Sequence, residues 1–372
     1  MKVYADNAAT TKMDQEAFEA MLPWLLNEYG NASQPYSFSR KPKNAIAEAR
    51  AIIAKCIGAD SDEIYFTSGG TESNNWVIKE VATSNCERRA TITSEFEHHA
   101  ILRSCASIER IGYPVFYLSP TPEGQIEPKS LENAMAENSI LVSIMFANNE
   151  IGSIQPIKML CDIAHASGAF FHTDAVQAVG HVRINVHELG VDFLSASAHK
   201  FNGPKGIGFL YARRGVSLQP FLDGGSQENG WRAGTENVAS IIGMATALKA
   251  NCEALENNIS SITKLEKKLL SDIEGKGIVY IRNGGTNTLP GLLSLSFAGK
   301  DAEAILHRMD LMGISISTGA ACDSVNTQIS HVLKSIKMDP ALARGTIRIS
   351  LGKNNTEDDV DKIVEALSKI VG

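Results

Sequence analysis

The chain has 372 residues, 44% of them hydrophobic and 21% charged, a balance that suits a globular fold with a large core and leaves room for two domains. Its formal charge of −7 argues against a general nucleic-acid binder, which would need a basic face. No apolar run approaches the ~20 residues that span a bilayer, and the opening Met1-Lys2-Val3-Tyr4-Ala5-Asp6-Asn7 lacks the apolar segment of a secretory signal, so the expectation is a cytoplasmic protein without membrane contact.

After a short polar-ended segment at 3–11, helical spacing is predicted over about 15–27, with a loop at 30–35. From 42 to 57 the apolar residues Ala45, Ile46, Ala49, Ile52 and Ile53 recur at helical spacing, and Gly58 is the expected stop. Residues 63–67 read as a strand, Ser68-Gly69-Gly70-Thr71 as a tight turn, and 72–78 as the start of a helix. Two glycines at such a turn let backbone N–H groups converge at the positive helix end, and the hydroxyls of Ser68 and Thr71 add to them, which is a cradle for a phosphate. A plain turn with Thr71 as helix cap uses the same residues. The pattern is neither a Walker loop nor a dinucleotide fingerprint.

A second strand at 90–94 runs into Glu95-Phe96-Glu97-His98-His99, an imidazole pair suited to stacking on an aromatic group or moving protons, or simply to capping the next helix. The most apolar strand is expected over 140–147, followed by Asn148-Asn149-Glu150. A helix over about 156–167 leads to a strand at 169–173 and then to Asp174-Ala175-Val176-Gln177. Residues 191–194 form another short strand, beyond which Ser197-Ala198-His199-Lys200 enters a glycine-rich turn before the strand 209–211. A lysine there is poorly placed to be an ordinary surface residue. Held partly away from water, its amine loses the proton more easily and adds to a carbonyl.

Strands alternating with helices imply an α/β fold with a mainly parallel sheet, whose ligands gather beyond the carboxyl ends of the strands. Thr71, Asn149, Asp174 and Lys200 all fall at that edge. Together they meet the needs of pyridoxal 5'-phosphate: a phosphate cradle, an amide for the ring oxygen, a carboxylate for the pyridine nitrogen and a lysine for the aldehyde.

Beyond Glu236 a long helical stretch is expected to about 274, bridging to a smaller domain that holds a strand at 313–318, a second at 346–351 and a closing helix from Thr356 with Val360, Ile363, Val364, Leu367 and Val371 as its apolar stripe. The predicted boundaries are 15–255 for the large domain, with 1–14 and 256–372 forming the small α+β one. The six cysteines are scattered without a CxxC pair, so neither a zinc site nor a disulfide framework is expected. Cys322 stands apart: Gly319-Ala320-Ala321-Cys322-Asp323-Ser324 is small and polar, which leaves its sulfur open to reaction. Arg348 lies opposite the apolar face of Ile347, Ile349 and Leu351, either as an edge-strand charge or as a two-pronged clamp for a carboxylate.

The stretches Asp6-Asn7-Ala8-Ala9-Thr10-Thr11, Thr67-Ser68-Gly69-Gly70-Thr71-Glu72-Ser73-Asn74-Asn75, Asn148-Asn149-Glu150-Ile151-Gly152, Asp174-Ala175-Val176-Gln177 and His199-Lys200 occur in the order found in cysteine desulfurases of the IscS/NifS group, and the chain resembles that family over nearly its whole length. The resemblance implies the fold-type I architecture of pyridoxal phosphate transferases, with a seven-stranded-type large sheet, and the conversion of L-cysteine to L-alanine. It implies that Lys200 holds the cofactor, Asp174 pairs with the ring nitrogen, Gln177 and Asn149 serve the ring oxygen side, and Gly70, Thr71, Ser197 and His199 hold the phosphate. By the same resemblance His98 stacks on the ring and moves protons, and Asn149 and Arg348 bind substrate. Cys322 carries the sulfur as a persulfide to an acceptor protein, and Thr235 reaches the cofactor phosphate of a second subunit, which makes a homodimer. The family loop Gly-Asn-Pro-Ser-Ser with a following His and Gly is here Gly30-Asn31-Ala32-Ser33-Gln34, with Tyr36 and Ser39 in those last two places. Residue types alone also admit a selenocysteine lyase or a related aminotransferase in which Cys322 has no obligatory part.

Overall fold

The computed structural model describes residues 2–85, 87, 89–216, 218–318 and 329–372. Among them thirteen strands form three sheets. The strands are β1 Val3–Tyr4, β2 Ile64–Thr67, β3 Ala90–Ser94, β4 Val115–Leu118, β5 Ser139–Ser143, β6 Phe170–Asp174, β7 Phe193–Ser197, β8 Gly208–Ala212, β9 Ile281–Asn283, β10 Leu292–Ser296, β11 Ile314–Ser315, β12 Ser317–Thr318 and β13 Thr346–Ser350.

The large sheet runs β2-β8-β7-β6-β5-β3-β4 and is parallel except for β8, which lies antiparallel to both its neighbours. Side-chain alternation along each strand feeds two cores. Ile64, Phe66, Leu194, Ala196, Phe209 and Tyr211 join Ile53 and Ile57 of the helix Arg40–Ile57 and Leu248 of the helix Val238–Glu253 on one face. Tyr65, Phe193, Leu210 and Ala212 join Trp76, Ile78, Ile101 and Ile108 on the other. A strand buried on both faces cannot alternate polar with apolar, which is why these segments read as continuous hydrophobic runs.

The second sheet, β12-β13-β10-β9, is antiparallel throughout. Its apolar face, Leu293, Leu295, Ile347 and Ile349, packs on the helices Leu255–Gly275 and Glu357–Val371. The last helix opens on a capping box between Thr356 and Asp359, then buries Val360, Ile363, Val364 and Leu367, each worth about 1.5–3 kcal/mol of transfer free energy. β1 pairs in parallel with β11, tying the start of the chain to this part. No helix among the described residues is long and apolar enough to cross a membrane.

Three expectations need correction. The strand expected over 140–147 ends at Ser143; Ile144 and Phe146 still donate to His172 and Asp174, but Ala147 already turns to bridge Ile154. The single strand expected over 313–318 is two short ones, because β11 pairs with β1 and β12 with β13. The long helix beyond Glu236 is broken at Ala254 into Val238–Glu253 and Leu255–Gly275, the first serving the large-sheet core and the second the small one.

Candidate active site

The carboxyl ends of the parallel strands open into a cavity of about 740 Å³ lined by Gly70, Thr71, His98, Asn149, Asp174, Gln177, Ser197, His199, Lys200 and Arg348. Ten of the twelve residues predicted for the site are thus brought together. Thr235 is exposed and does not line this cavity, and Cys322 lies outside the described residues.

Lys200 ends a single 3₁₀ turn, Ala198–Lys200, that follows directly on β7. Its Nζ donates to the carbonyl oxygens of Ala8 (2.6 Å) and Ala9 (2.8 Å), so the segment next to β1 closes over the amine. Asp174, the last residue of β6, is buried. Its Oδ2 accepts from Asn74 Nδ2 at 2.6 Å and its Oδ1 from the backbone N–H of Val176 at 3.0 Å. The amide oxygen of Asn74, Oδ1, is buried and has no partner among the described residues. Gln177 Nε2 donates to Ala8 O at 2.9 Å, a second tie between the turn after β6 and the segment 8–9.

The turn between β2 and the helix Gly70–Trp76 has a backbone that only glycine accepts easily. Gly69 sits at φ 147°, and a Cβ on Gly70 would collide with Val176 Cγ2. Gly70, Thr71 and Glu72 occupy the first turn, where N–H groups have no acceptor within the helix, and Ser197 comes in from β7. His199 Nδ1 bonds Thr10 Oγ1 at 3.2 Å, and burial, reinforced by Lys200 and Lys205, pushes its imidazole down to about 4, so the ring is neutral near pH 7.

His98 caps the helix His99–Glu109 by accepting from the N–H of Ala100 at its Nδ1, 3.1 Å. Capping and site are therefore not alternatives: with Nδ1 committed as acceptor, the neutral ring carries its proton on Nε2. Burial holds its basicity below the usual histidine range, with Lys200 and His99 acting the same way and Asp174 opposing. Beside it Glu97 is fully buried and its carboxyl is raised to about 8, chiefly by burial, although Ser94 Oγ and the Met145 N–H bond its Oε1.

Arg348 is buried in β13 between Ser294 of β10 and Ser317 of β12, a central position that excludes the edge-strand role. Its Nη2 pairs with Asp6 Oδ1 at 2.7 Å, its Nη1 donates to Asn149 O at 2.7 Å, and its buried Nε has no partner among the described residues. A guanidinium so placed at a cavity wall has a donor to offer a carboxylate. Neighbouring Glu150, its carboxyl raised to about 7 mainly by burial, accepts from Ser330 Oγ at 2.5 Å.

Sequence reasoning gave no role to Asn74 or Asp6, the partners of Asp174 and Arg348. Asn74 lies four residues after Gly70 on one helix face, a spacing that was open to inspection. Asp6 carries no such local signal, since its partner is 342 residues away. Tyr36 and Ser39, the departures in the 30–39 loop, do not line the cavity.

The residues present fit a pyridoxal phosphate. A lysine amine and a buried carboxylate share one cavity, a glycine-lined helix start has free donors for phosphate, and Asn74 buttresses the carboxylate. This fold and site define an α/β enzyme built on a lysine at a strand end. The family model for class-V aminotransferases matches residues 3–363. The cysteine desulfurase IscS of Dictyoglomus turgidum is 47% identical over the whole chain and 94% of its own length. Among solved structures, a NifS-like protein superposes with a TM-score of 0.94 at 36% identity, covering 100% of this chain and 99% of the other. A structure of SspA in complex with cysteine gives 0.86 at 35% identity, covering 96% and 100%. The chain belongs to the class-V aminotransferase family and, within it, to the cysteine desulfurases.

Proposed function

We propose that the chain converts L-cysteine to L-alanine with pyridoxal 5'-phosphate as cofactor and hands the sulfur, as a persulfide on Cys322, to an acceptor protein. The observation that carries the cofactor assignment is the convergence of Lys200, Asp174, His98 and the Gly69-Gly70 turn on one cavity. Lys200 would hold the cofactor covalently, Asp174 its ring nitrogen, and Gly70, Thr71, Ser197 and His199 its phosphate. His98 would cover the ring face, with Gln177 and Asn149 on the ring oxygen side. Bound, that cofactor supplies an electron sink that loosens the bonds at the substrate Cα.

The chain's own groups do the rest. Arg348 orients the substrate carboxylate beside Asn149 with guanidinium N–H groups left over from its bonds to Asp6 and to the Asn149 carbonyl. The Lys200 Nζ amine would take the substrate Cα proton. His98 Nε2, on a ring kept neutral by burial, exchanges protons with the substrate thiol. The Cys322 thiolate attacks the substrate sulfur and the C–S bond breaks, so L-cysteine and a Cys322 thiol become L-alanine and a Cys322 persulfide with atoms and electrons balanced. A thiol of the acceptor then takes the outer sulfur and regenerates Cys322.

The functional unit is a homodimer in this reading. Leu25, Leu26 and Tyr29 are 57%, 70% and 76% exposed, and the exposed Phe38 ring packs edge-on against Tyr29 at 5.2 Å between centroids. Ser33 Oγ bonds Glu236 Oε1 at 3.0 Å, which sets this surface beside Thr235, the residue assigned to the second subunit's phosphate. The domain reading of 15–255 against 1–14 with 256–372 is supported by the separate sheets, although Leu289, Leu292, Val332 and Leu333 pack into the large-sheet core.

The test is release of alanine and sulfide from L-cysteine by the purified chain, with and without added pyridoxal phosphate. Cys322→Ser is expected to keep the cofactor's visible absorption and lose sulfur transfer. An unchanged alanine yield from that variant in dithiothreitol would remove Cys322 from its assigned role.

A further inference from the structure

Glu72 occupies the third position of the helix whose first turn lines the cavity, and it lines that cavity itself. A carboxylate on a residue that lines this space would repel a phosphate bound in it. The chain deals with this charge by two contacts. Arg232 takes the carboxylate in a two-pronged grip, Nε to Oε1 at 2.8 Å and Nη2 to Oε2 at 3.1 Å, and the N–H of Ser68 donates to Oε2 at 2.8 Å. Glu72 is well shielded, its side chain 10% exposed, and its carboxyl stays below the ordinary range: burial raises it, but the bonds from Arg232 and Ser68 outweigh that.

Arg232 is itself held firmly. It follows three residues in left-handed backbone, Glu228 (φ 48°), Asn229 (φ 58°) and Gly230 (φ 81°), a run that is costly at the first two. Glu228 is kept there by Arg50, through bonds of 2.8 and 2.7 Å, and by the N–H of Phe66 in β2 at 2.9 Å. One ion pair thus ties Glu228 to the helix Arg40–Ile57, the Phe66 N–H ties it to β2, and a second ion pair ties Arg232 to Glu72 in the helix that starts at the cradle; Thr235 follows three residues later.

We propose that Arg232 is a positioning residue for anion binding: it neutralises Glu72 and holds that carboxylate against Ser68, leaving the N–H groups of the Gly70 turn to the phosphate. The proposal rests on the reading that this cavity takes a phosphate-bearing cofactor. In that reading Arg232 touches neither cofactor nor substrate and acts through Glu72.

The experiment is a double-mutant cycle on the full chain, reading the affinity of the cofactor-stripped protein for pyridoxal phosphate by absorbance and for inorganic phosphate by calorimetry. Arg232→Gln is expected to weaken both on the order of tenfold, because it leaves a shielded charge without its partner. Adding Glu72→Gln is expected to restore them to within about threefold, and Arg232→Lys, which keeps the charge, to lose less than Arg232→Gln. A merely structural arginine would give no such rescue. A double variant as weak as Arg232→Gln, or an Arg232→Gln variant with wild-type affinity for both probes, overturns the proposal; thermal melts identify an unfolded variant, in which case Arg232→Lys with and without Glu72→Gln carries the same comparison. Borohydride reduction of the wild-type protein with pyridoxal phosphate, followed by peptide mapping, separates the two readings. A pyridoxyl group on Lys200 without rescue in the cycle sinks only the role of Arg232, whereas no label on Lys200 sinks the cofactor assignment and this proposal with it.

Discussion

The two sheets deliver their functional groups to the cavity in different ways. The large parallel sheet places them just past strand ends: Lys200 one turn beyond β7, Asp174 closing β6, and His98 four residues after β3. The small antiparallel sheet delivers Arg348 from the middle of β13, flanked by serines on both neighbouring strands. A group past a strand end is aimed by its turn and by a few local bonds, such as Val176 N–H on Asp174 or Ala100 N–H on His98. A group within a central strand is aimed by the whole sheet and must be charge-balanced from elsewhere in the chain, here by Asp6. Loss of a strand-end group should therefore remove chemistry and leave the fold, while loss of Arg348 should disturb both binding and packing.

The largest expected effect is that of Lys200→Ala, which should lower turnover on the order of 10⁴-fold and abolish the cofactor's visible band while leaving the melting temperature near wild type. A variant that kept both the band and turnover would break the strand-end account. Arg348→Ala should raise KM for L-cysteine by about 10- to 100-fold, the worth of a lost charge-assisted bond, and should also lower the melting temperature because Asp6 loses its partner. Restoration of stability without restoration of KM in Asp6→Asn/Arg348→Ala would sharpen the distinction between the two duties of that arginine.

Next comes the pH dependence of stability. The Glu97 carboxyl is raised to about 8 by burial, so the folded chain holds a proton that the unfolded chain releases near its ordinary value. Stability from this group is fully present below that ordinary value and is lost as pH rises through about 8. Glu97→Gln should therefore flatten the fall in melting temperature on the alkaline side; an unchanged slope would show that the proton is held elsewhere. The smallest effect is that of Thr356→Ala, which removes one helix cap far from the cavity and should cost about 1 kcal/mol by denaturant unfolding with kcat unaltered.

Much of the site was legible from residues alone, because strand-end chemistry is written locally. A hydrophobic run followed by Ser68-Gly69-Gly70-Thr71, by Asp174 or by His199-Lys200 announces both the element and the group it presents. Other elements escaped for the opposite reason. β4 has a half-exposed pattern at the sheet edge, and β9 and β10 form only by pairing with each other and with β13. The antiparallel direction of β8 was equally hidden, since Gly208–Ala212 looks like any buried strand until its neighbours are known.

What the sequence by itself determined is the set of reactive groups and the alternation of strands and helices that brings most of them to one edge, since both are written in contiguous residues. Only the tertiary structure decided that Asp6 balances Arg348 across 342 positions, that Asn74 supports Asp174, and that Arg232 takes up the charge of Glu72. Those pairings depend on which backbones lie within about 3 Å of hydrogen-bond reach once the core has closed, and no local spacing encodes that distance.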